Sequence, residues 1–249
     1  MSEVAIIGLG LIGGSLARAL TREGWSVVGV DRAEVVRRAR AARALAAGSA
    51  DVAAALDVRL IVLAAPPRAN LALLRRLAPR LAPGTVVTDL GSVKRPICRL
   101  AHELGVESFV GGHPMAGRER SGWDASHADL FRDHPWIVAT DDAKRSALTS
   151  VLRMVRATGA RPHRMSAEEH DRTVAFLSHV PQLVAWALEA AAKGDDVAAR
   201  HLALAGPGFR DMTRLARSPR PLWREILGQN RGEVARALAA LARALKRRV

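Results

Sequence analysis

Val4-Ala5-Ile6-Ile7-Gly8-Leu9-Gly10-Leu11-Ile12-Gly13 stands at the start of this chain and decides how its front half is read. Four apolar residues run directly into Gly8, Gly10 and Gly13. Amphipathic spacing then continues through Leu16, Ala19 and Leu20. The order is strand, glycine turn, helix. A second apolar run, Val27-Val28-Gly29-Val30, ends in Asp31, about twenty residues after the last glycine. Such a glycine pattern carries little weight alone. Between a strand and a helix, with an acid closing the next strand, it points to a bound dinucleotide.

Each position has a physical task. Gly8 allows the tight turn, Gly10 lets a pyrophosphate approach the backbone, and Gly13 lets the helix lie close on the sheet. The helix start at Leu11 and Ile12 offers N–H groups and a positive dipole end to the phosphates. Asp31 can accept hydrogen bonds from both ribose hydroxyls and would repel a 2′-phosphate, which favours NAD over NADP. The neighbouring Arg32 would offset part of that repulsion. Ala65, just past the apolar run 60–64, completes the expected cofactor-binding set.

At 249 residues the chain is long enough for two domains. Its balance, 49% hydrophobic and 25% charged, is that of an ordinary globular protein. The single cysteine, Cys98, excludes a disulfide framework and a cysteine-based metal site, and a reducing, cytoplasmic compartment follows. The chain enters a strand with no basic leader, so no signal peptide is expected. Arg18 and the glycines break the only long apolar stretch, so no membrane span is expected. Net charge is +14. The excess is nearly all arginine spread over many helix faces, and aromatics are only 4% with no Tyr, so no nucleic-acid platform is visible. An acidic small substrate would still be drawn in. The other histidines show no ligand spacing, and no metal is expected.

Apolar runs at 60–64, 85–88, 108–111 and 136–139, with a short run near Ala160, alternate with helical patterns at 68–78, 94–104 and 143–157. This is an α/β domain, a doubly wound and mostly parallel sheet of the Rossmann type. The pattern changes near residue 166. Ser166 followed by Glu169 reads as a capping box. Helical spacing runs over 167–193, two shorter helices are expected at 196–205 and 208–217, and a final one from about 221 to 246. The expected division is a dinucleotide-binding domain over 1–165 and a smaller all-helical domain over 166–249. Exposed small residues such as Ala235, Ala239 and Ala242 suggest pairing with a second copy, a homodimer built through the helical domain.

Three segments set polar groups at strand ends or within the helical part. In Thr88-Asp89-Leu90-Gly91-Ser92-Val93-Lys94, Ser92 is placed either to cap the following helix or to reach the nicotinamide. In Gly111-Gly112-His113-Pro114-Met115-Ala116-Gly117, glycines leave His113 on a strand-end loop, where an imidazole can take up a proton near neutral pH. In the helical part, Pro181 in Ser178-His179-Val180-Pro181-Gln182 kinks a long helix, either harmlessly or so as to turn Ser178 and Gln182 inward. Arg210 and Arg214, four apart on one helix face, form either a solvated face or a pair of forks for carboxylates.

Taken together, GLGLIGGS (8–15), DLGSVK (89–94), GGHPMAGRERSG (111–122), EEHDR (168–172), SHVPQ (178–182) and GFRDMTRLARSPRPLW (208–223) resemble the prephenate/arogenate dehydrogenase family of tyrosine biosynthesis. The resemblance implies oxidative decarboxylation of a cyclohexadienyl substrate, with hydride passing from ring C4 to NAD while the ring carboxylate leaves as CO2. It implies that His113 takes the proton of the C4 hydroxyl, that Ser92 orients that hydroxyl, that Arg214 binds a substrate carboxylate, and that Ser178 faces the substrate side chain. One position departs: Gln182 stands where many prephenate-using members carry a histidine, near the pyruvyl or alanyl side chain. That keeps prephenate, arogenate or both open as substrates. Two other classes share parts of this pattern. A β-hydroxyacid or imine-reductase type enzyme would use a cleft lysine, and Lys193 lacks the surrounding glycine motif. A non-enzymatic NAD or nucleic-acid binder would need a clustered basic patch.

Overall fold

The computed structural model describes residues 4–117, 120–141 and 143–248. Arg118 and Glu119, inside the glycine-flanked 111–122 segment, lie outside the described residues. The chain divides into two compact units, Met1–His170 and Asp171–Val249.

Unit 1 holds strands β1 (Val4–Ile7), β2 (Val27–Val30), β3 (Ala47–Ser49), β4 (Leu60–Leu63), β5 (Val86–Asp89), β6 (Phe109–Pro114), β7 (Pro135–Ala139) and β8 (Arg161–Met165). They form one sheet in the order β3-β2-β1-β4-β5-β6-β7-β8. Neighbours from β3 through β6 pair in parallel, and β7 runs antiparallel to β6. This is the doubly wound arrangement expected, with the strand order reversing between β1 and β4. Helices α1 (Leu11–Arg22), α2 (Ala33–Ala41), α3 (Pro67–Leu77), α4 (Arg95–Glu103) and α5 (Arg145–Ala157) cover both faces. Alternation along β1 shows why. Val4 and Ile6 join the core made with Leu16 and Leu20 of α1 and Val151 of α5, while Ala5 and Ile7 join the opposite core with Leu74 of α3 and Ile97 of α4. Strand β3 was not foreseen. Ala47-Gly48-Ser49 has no apolar run to betray it, and it pairs with β2 at the sheet edge through its backbone.

Helix α6 (Ala167–Val174) begins at the capping box expected from the sequence. The Ser166 N–H donates to the Glu169 carboxylate at 2.8 Å, and the Glu169 N–H donates back to Ser166 Oγ at 3.1 Å. The Ser166 N–H, and the Ser166 hydroxyl that donates to the same carboxylate at 2.9 Å, hold the Glu169 carboxyl below its ordinary pKa, so their support for the helix start is present above the usual carboxylate range and fades as pH falls through the lowered value.

Unit 2 continues α6 through a wide π turn, Ala175–His179, into α7 (Val180–Gly194). Pro181 has no N–H for the carbonyl of Leu177, and it stands just after the wide turn, where the helix changes its hydrogen-bond spacing. Then follow α8 (Asp196–Arg200), α9 (Pro207–Thr213), α10 (Arg220–Gln229) and α11 (Arg231–Lys246). Three expectations need correction. The 196–205 segment is not one helix, because α8 stops at Arg200 and Leu202–Leu204 is a 3₁₀ turn. The 208–217 segment is not one helix, because α9 stops at Thr213 and Arg214–Arg217 is a 3₁₀ turn. The last long helix is also broken, at Asn230. That residue is buried, and its side chain donates to the Asp171 carbonyl at 2.7 Å and lies 3.2 Å from His179 Nδ1. The N-terminal stretch is also not the only long apolar one. The continuous helix Ala167–Gly194 is long and apolar enough by length and composition, with a mean hydropathy of 1.2 over its best window. Its interior is nonetheless polar at Asp171, His179 and Gln182, all fully buried, as in the core helix of a folded unit.

Candidate active site

The crevice outside β1 and β4 is built by contacts that only glycine permits. Gly8 has a φ of +100°, and a Cβ there would meet the Ala64 carbonyl oxygen at 2.7 Å. A Cβ on Gly13 would fall 1.9 Å from the Gly8 oxygen, so the helix could not approach the turn. Gly10 differs, since a Cβ there would meet nothing within 4 Å. Its backbone is therefore open to an incoming group. Helix α1 starts at Leu11 with Gly10 as its N-cap, without a side-chain cap and without an acid in its first turn. The positive end of the helix thus keeps its attraction for phosphate.

Asp31 follows β2 on one flank of this turn. Its Oδ2 accepts from the Leu9 N–H at 2.6 Å and its Oδ1 from the Arg32 N–H at 2.7 Å. The carboxylate is tied into the glycine turn and keeps lone pairs for ribose hydroxyls. The Arg32 side chain is almost wholly exposed, with Nε 3.9 Å from Asp31 Oδ1. Opposite, the Ala65 N–H donates to Asn70 Oδ1 at 3.0 Å, and Asn70 Nδ2 reaches back to the Leu63 carbonyl at 3.3 Å. Asn70 is buried and shapes the loop after β4. Nothing in the sequence singled it out, because an Asn inside a helical pattern carries no motif.

The next loop along the edge, after β5, is organised by a buried ion pair between Lys94 and Asp89, 0% and 1% exposed. Asp89 also accepts from the N–H of Gly91 at 2.8 Å and of Gly112 at 3.2 Å, and Lys94 Nζ donates to the Gly112 carbonyl at 2.8 Å. The pair stitches the β5 loop to β6 immediately before His113. Ser92 is half-buried on this loop. It does not cap α4, which starts at Arg95 behind Lys94 with no side-chain cap. Ser92 lies too early in the chain for that role.

His113 is placed differently from the loop position expected. It lies inside β6, paired with Ile137 of β7, and is 7% exposed. The flanking glycines do not make room around the imidazole. A Cβ on Gly112 would meet the Asp89 carbonyl oxygen at 2.6 Å, and one on Gly111 would meet Cys98 Sγ, Ala139 Cβ and Lys94 Cδ near 3 Å. They let the β5 loop and its ion pair pack against the strand. His113 Nδ1 lies 2.8 Å from Nε2 of His170, the two rings meeting edge to face at 5.0 Å.

Asp31, the glycine turn, Ala65, Ser92 and His113 therefore lie along one edge of the sheet, at or near the carboxyl ends of β2, β1, β4, β5 and β6. At about 4.8 Å per strand, β6 stands roughly 14 Å from β1, a span an extended dinucleotide covers.

In unit 2, Ser178 lies in the π turn and is half-buried, and Gln182 follows four residues later, fully buried. Gln182 Nε2 donates to the Leu215 carbonyl at 2.7 Å, and Trp186 Nε1 donates to that of Ala216 at 3.1 Å, which fixes the 3₁₀ turn carrying Arg214 on α7. The Gln182 Oε1 is buried with no hydrogen-bond partner among the described residues. Arg210 and Arg214 are exposed, Arg210 on the last turn of α9 and Arg214 where the 3₁₀ turn begins.

Comparison with known proteins adds to this geometry. The family described as "Prephenate dehydrogenase, nucleotide-binding domain" matches residues 16–163, and "Prephenate dehydrogenase, dimerization domain" matches 166–248. The first match begins beyond the glycine turn, so the reading of that turn rests on its own geometry. A cyclohexadienyl dehydrogenase of Zymomonas mobilis is 37% identical over 238 residues, covering 92% of this chain and 80% of the relative. A prephenate dehydrogenase of Lactococcus lactis is 34% identical over 92% of this chain, which spans 65% of that relative's length. A crystal structure of prephenate dehydrogenase from A. aeolicus, in complex with hydroxyphenyl propionate and NAD+, superposes with a TM-score of 0.87 at 30% identity, covering 99% of this chain and 89% of that one.

Proposed function

This chain belongs to the prephenate dehydrogenase family, and on that premise we propose that it catalyses the NAD-dependent oxidative decarboxylation of prephenate to 4-hydroxyphenylpyruvate in tyrosine biosynthesis. The observation that carries the reading is His113, buried at the carboxyl end of β6 on the sheet edge that holds the glycine turn and Asp31. Gly8, Gly10, Gly13 and the start of α1 at Leu11 and Ile12 hold the pyrophosphate. Asp31 holds the adenosine ribose beside Arg32, and Ala65 lines the crevice. When bound, NAD supplies the hydride acceptor.

The chain's own residues then handle the proton and the substrate's position. Hydride loss builds positive charge at ring C4, and transfer of the C4 hydroxyl proton to His113 Nε2 relieves it. Ser92, on the adjoining loop, orients that hydroxyl. Arg214, with Arg210 one turn earlier, anchors a substrate carboxylate, since a guanidinium fork matches it in two hydrogen bonds. As the ring carboxylate leaves as CO2, its electron pair passes through the ring to the C4 oxygen, which takes the proton back from His113 as the phenol, and CO2 loss and aromatisation make the step effectively irreversible.

A second reading, arogenate or both substrates, is favoured by Gln182. Its Nε2 is engaged by Leu215, and its buried Oε1 is an acceptor suited to the alanyl ammonium of arogenate. NAD reduction followed by nicotinamide absorbance, with each substrate in turn, tests both readings. Turnover of prephenate supports the first, higher kcat/KM for arogenate supports the second, and turnover of neither removes both.

The active form is a homodimer through unit 2. The buried apolar residues of that unit are few among those described: Val174, Ala175, Val180, Ala185, Ile226, Val234 and Ala237. Leu177, Leu204, Met212 and Leu245 are exposed in the single chain, and only 33% of the most apolar window of Ala167–Gly194 is buried. A second copy would cover these faces. Cys98, the one cysteine of the chain, is not in a disulfide, which suits a reducing, cytoplasmic setting.

Cofactor choice gives a direct prediction. Asp31→Asn keeps an oxygen for the Leu9 N–H and removes the charge that repels a 2′-phosphate. The NADP-to-NAD ratio of kcat/KM is expected to rise at least about tenfold, on the order of 1.4 kcal/mol. An unchanged ratio would show that Asp31 serves the turn alone.

A further inference from the structure

His170 is fully buried and lies 57 residues from His113 in the chain, yet their facing ring nitrogens stand 2.8 Å apart. At that distance one of the two nitrogens carries a hydrogen and the other accepts it. The direction of that bond decides what His113 can do. If His170 donated, His113 in its neutral form would carry its own hydrogen on Nε2, and Nε2 could take no proton. If His113 donates from Nδ1, its Nε2 holds the lone pair.

The donor inventory of the product state settles the choice. Once His113 has gained a proton, both of its nitrogens are donors, so a contact of this length requires His170 Nε2 to accept. A bond that already runs from His113 to His170 needs no rearrangement during the proton transfer. It also strengthens as His113 becomes cationic, because a charged donor makes a shorter and stronger hydrogen bond. The frame around the pair supports a fixed geometry. His113 is held in β6 by pairing with Ile137, and His170 sits on the first turns of α6, which start at the Ser166–Glu169 capping box.

We propose that His170 is a positioning residue that accepts the Nδ1–H of His113, fixing the tautomer and ring orientation that leave His113 Nε2 as the proton acceptor. The inference rests on His113 being the base, and it adds the residue that sets its protonation pattern. It uses no metal and no further cofactor.

Two measurements test it, both on the full chain with NAD bound. The first is nitrogen NMR of the wild-type protein labelled with ¹⁵N in its histidine rings, the His113 signals being identified by their loss in His113→Asn. Neutral His113 should carry its hydrogen on Nδ1. A hydrogen on Nε2 overturns the proposal. The second compares His170→Leu with His170→Gln, whose amide oxygen falls near the position of Nε2. His170→Leu should lose about 10- to 100-fold in kcat, with NAD affinity and substrate KM within about twofold of wild type. His170→Gln should turn over at least about ten times faster than His170→Leu, because an acceptor is restored. Equal losses in the two variants, or a loss that falls in KM, overturn the proposal. Should the leucine variant fail to fold, the wild-type tautomer decides alone. Near-normal kcat in His113→Asn would instead retire the base assignment, whatever the tautomer.

Discussion

His113→Asn is expected to lower kcat by a factor of about one hundred or more while NAD still binds. Asparagine is the informative replacement. Its amide falls near the position of Nδ1, so the contact with His170 at 2.8 Å can persist, and the pairing of β6 with β7 through Ile137 is a backbone matter that the change leaves alone. What disappears is a nitrogen able to take a proton at the far side of the ring. A positioned base is typically worth about 10²–10⁴ in rate, so the loss should fall in kcat and kcat/KM together. Binding of NAD should survive, because its pyrophosphate and ribose are served by the glycine turn, the start of α1 and Asp31. Stopped assays of kcat beside a fluorescence titration of NAD separate the two quantities. A variant that retains a tenth or more of wild-type kcat would place the base elsewhere.

The sequence made the frame of this site readable and hid its interior. Gly8, Gly10, Gly13 and Asp31 announce themselves because turn, helix start and strand end each leave a local mark within thirty residues. The sheet was readable wherever strands are buried and apolar, and β3 was missed because Ala47-Gly48-Ser49 pairs by backbone alone. The break at Asn230 was invisible for a related reason. A helical pattern continues across it, and the cause is a long-range hydrogen bond to Asp171. The sequence points to His113 but not to its setting. Glycines at 111 and 112 read as space for the imidazole, whereas they are clearance for the Asp89 backbone and the Lys94 side chain. The His170 contact and the Lys94–Asp89 pair unite residues on different elements or across a loop, and periodicity carries no trace of such pairings.

That ion pair yields the second large effect. Lys94→Met should destabilise unit 1 by about 3–5 kcal/mol, since removing one member of a buried pair strands the other charge. Asp89, 1% exposed, would be left with the N–H groups of Gly91 and Gly112 in place of a lysine cation, and the Gly112 carbonyl would lose the Lys94 donor. At about 2–4 °C per kcal/mol for a chain of this size, the melting temperature should fall by roughly 6–20 °C. Asp89→Asn combined with Lys94→Met should lose less than the two single changes summed, because no net charge then stays buried. Function should follow stability only in part. Gly112 precedes His113 on β6, so a relaxed β5 loop shifts the base relative to Ser92, and kcat should drop even at temperatures where the variant is fully folded. A rise of a few tenths of an ångström in that register is enough to matter, because a proton acceptor must sit within hydrogen-bond reach of the group it serves. Circular dichroism melts of the three variants, with kcat measured well below each midpoint, give both readings. A Lys94→Met protein that melts within about 2 °C of wild type would show that the pair contributes no net stability. Normal kcat in the folded variant would show that the β5 loop does not set the position of His113.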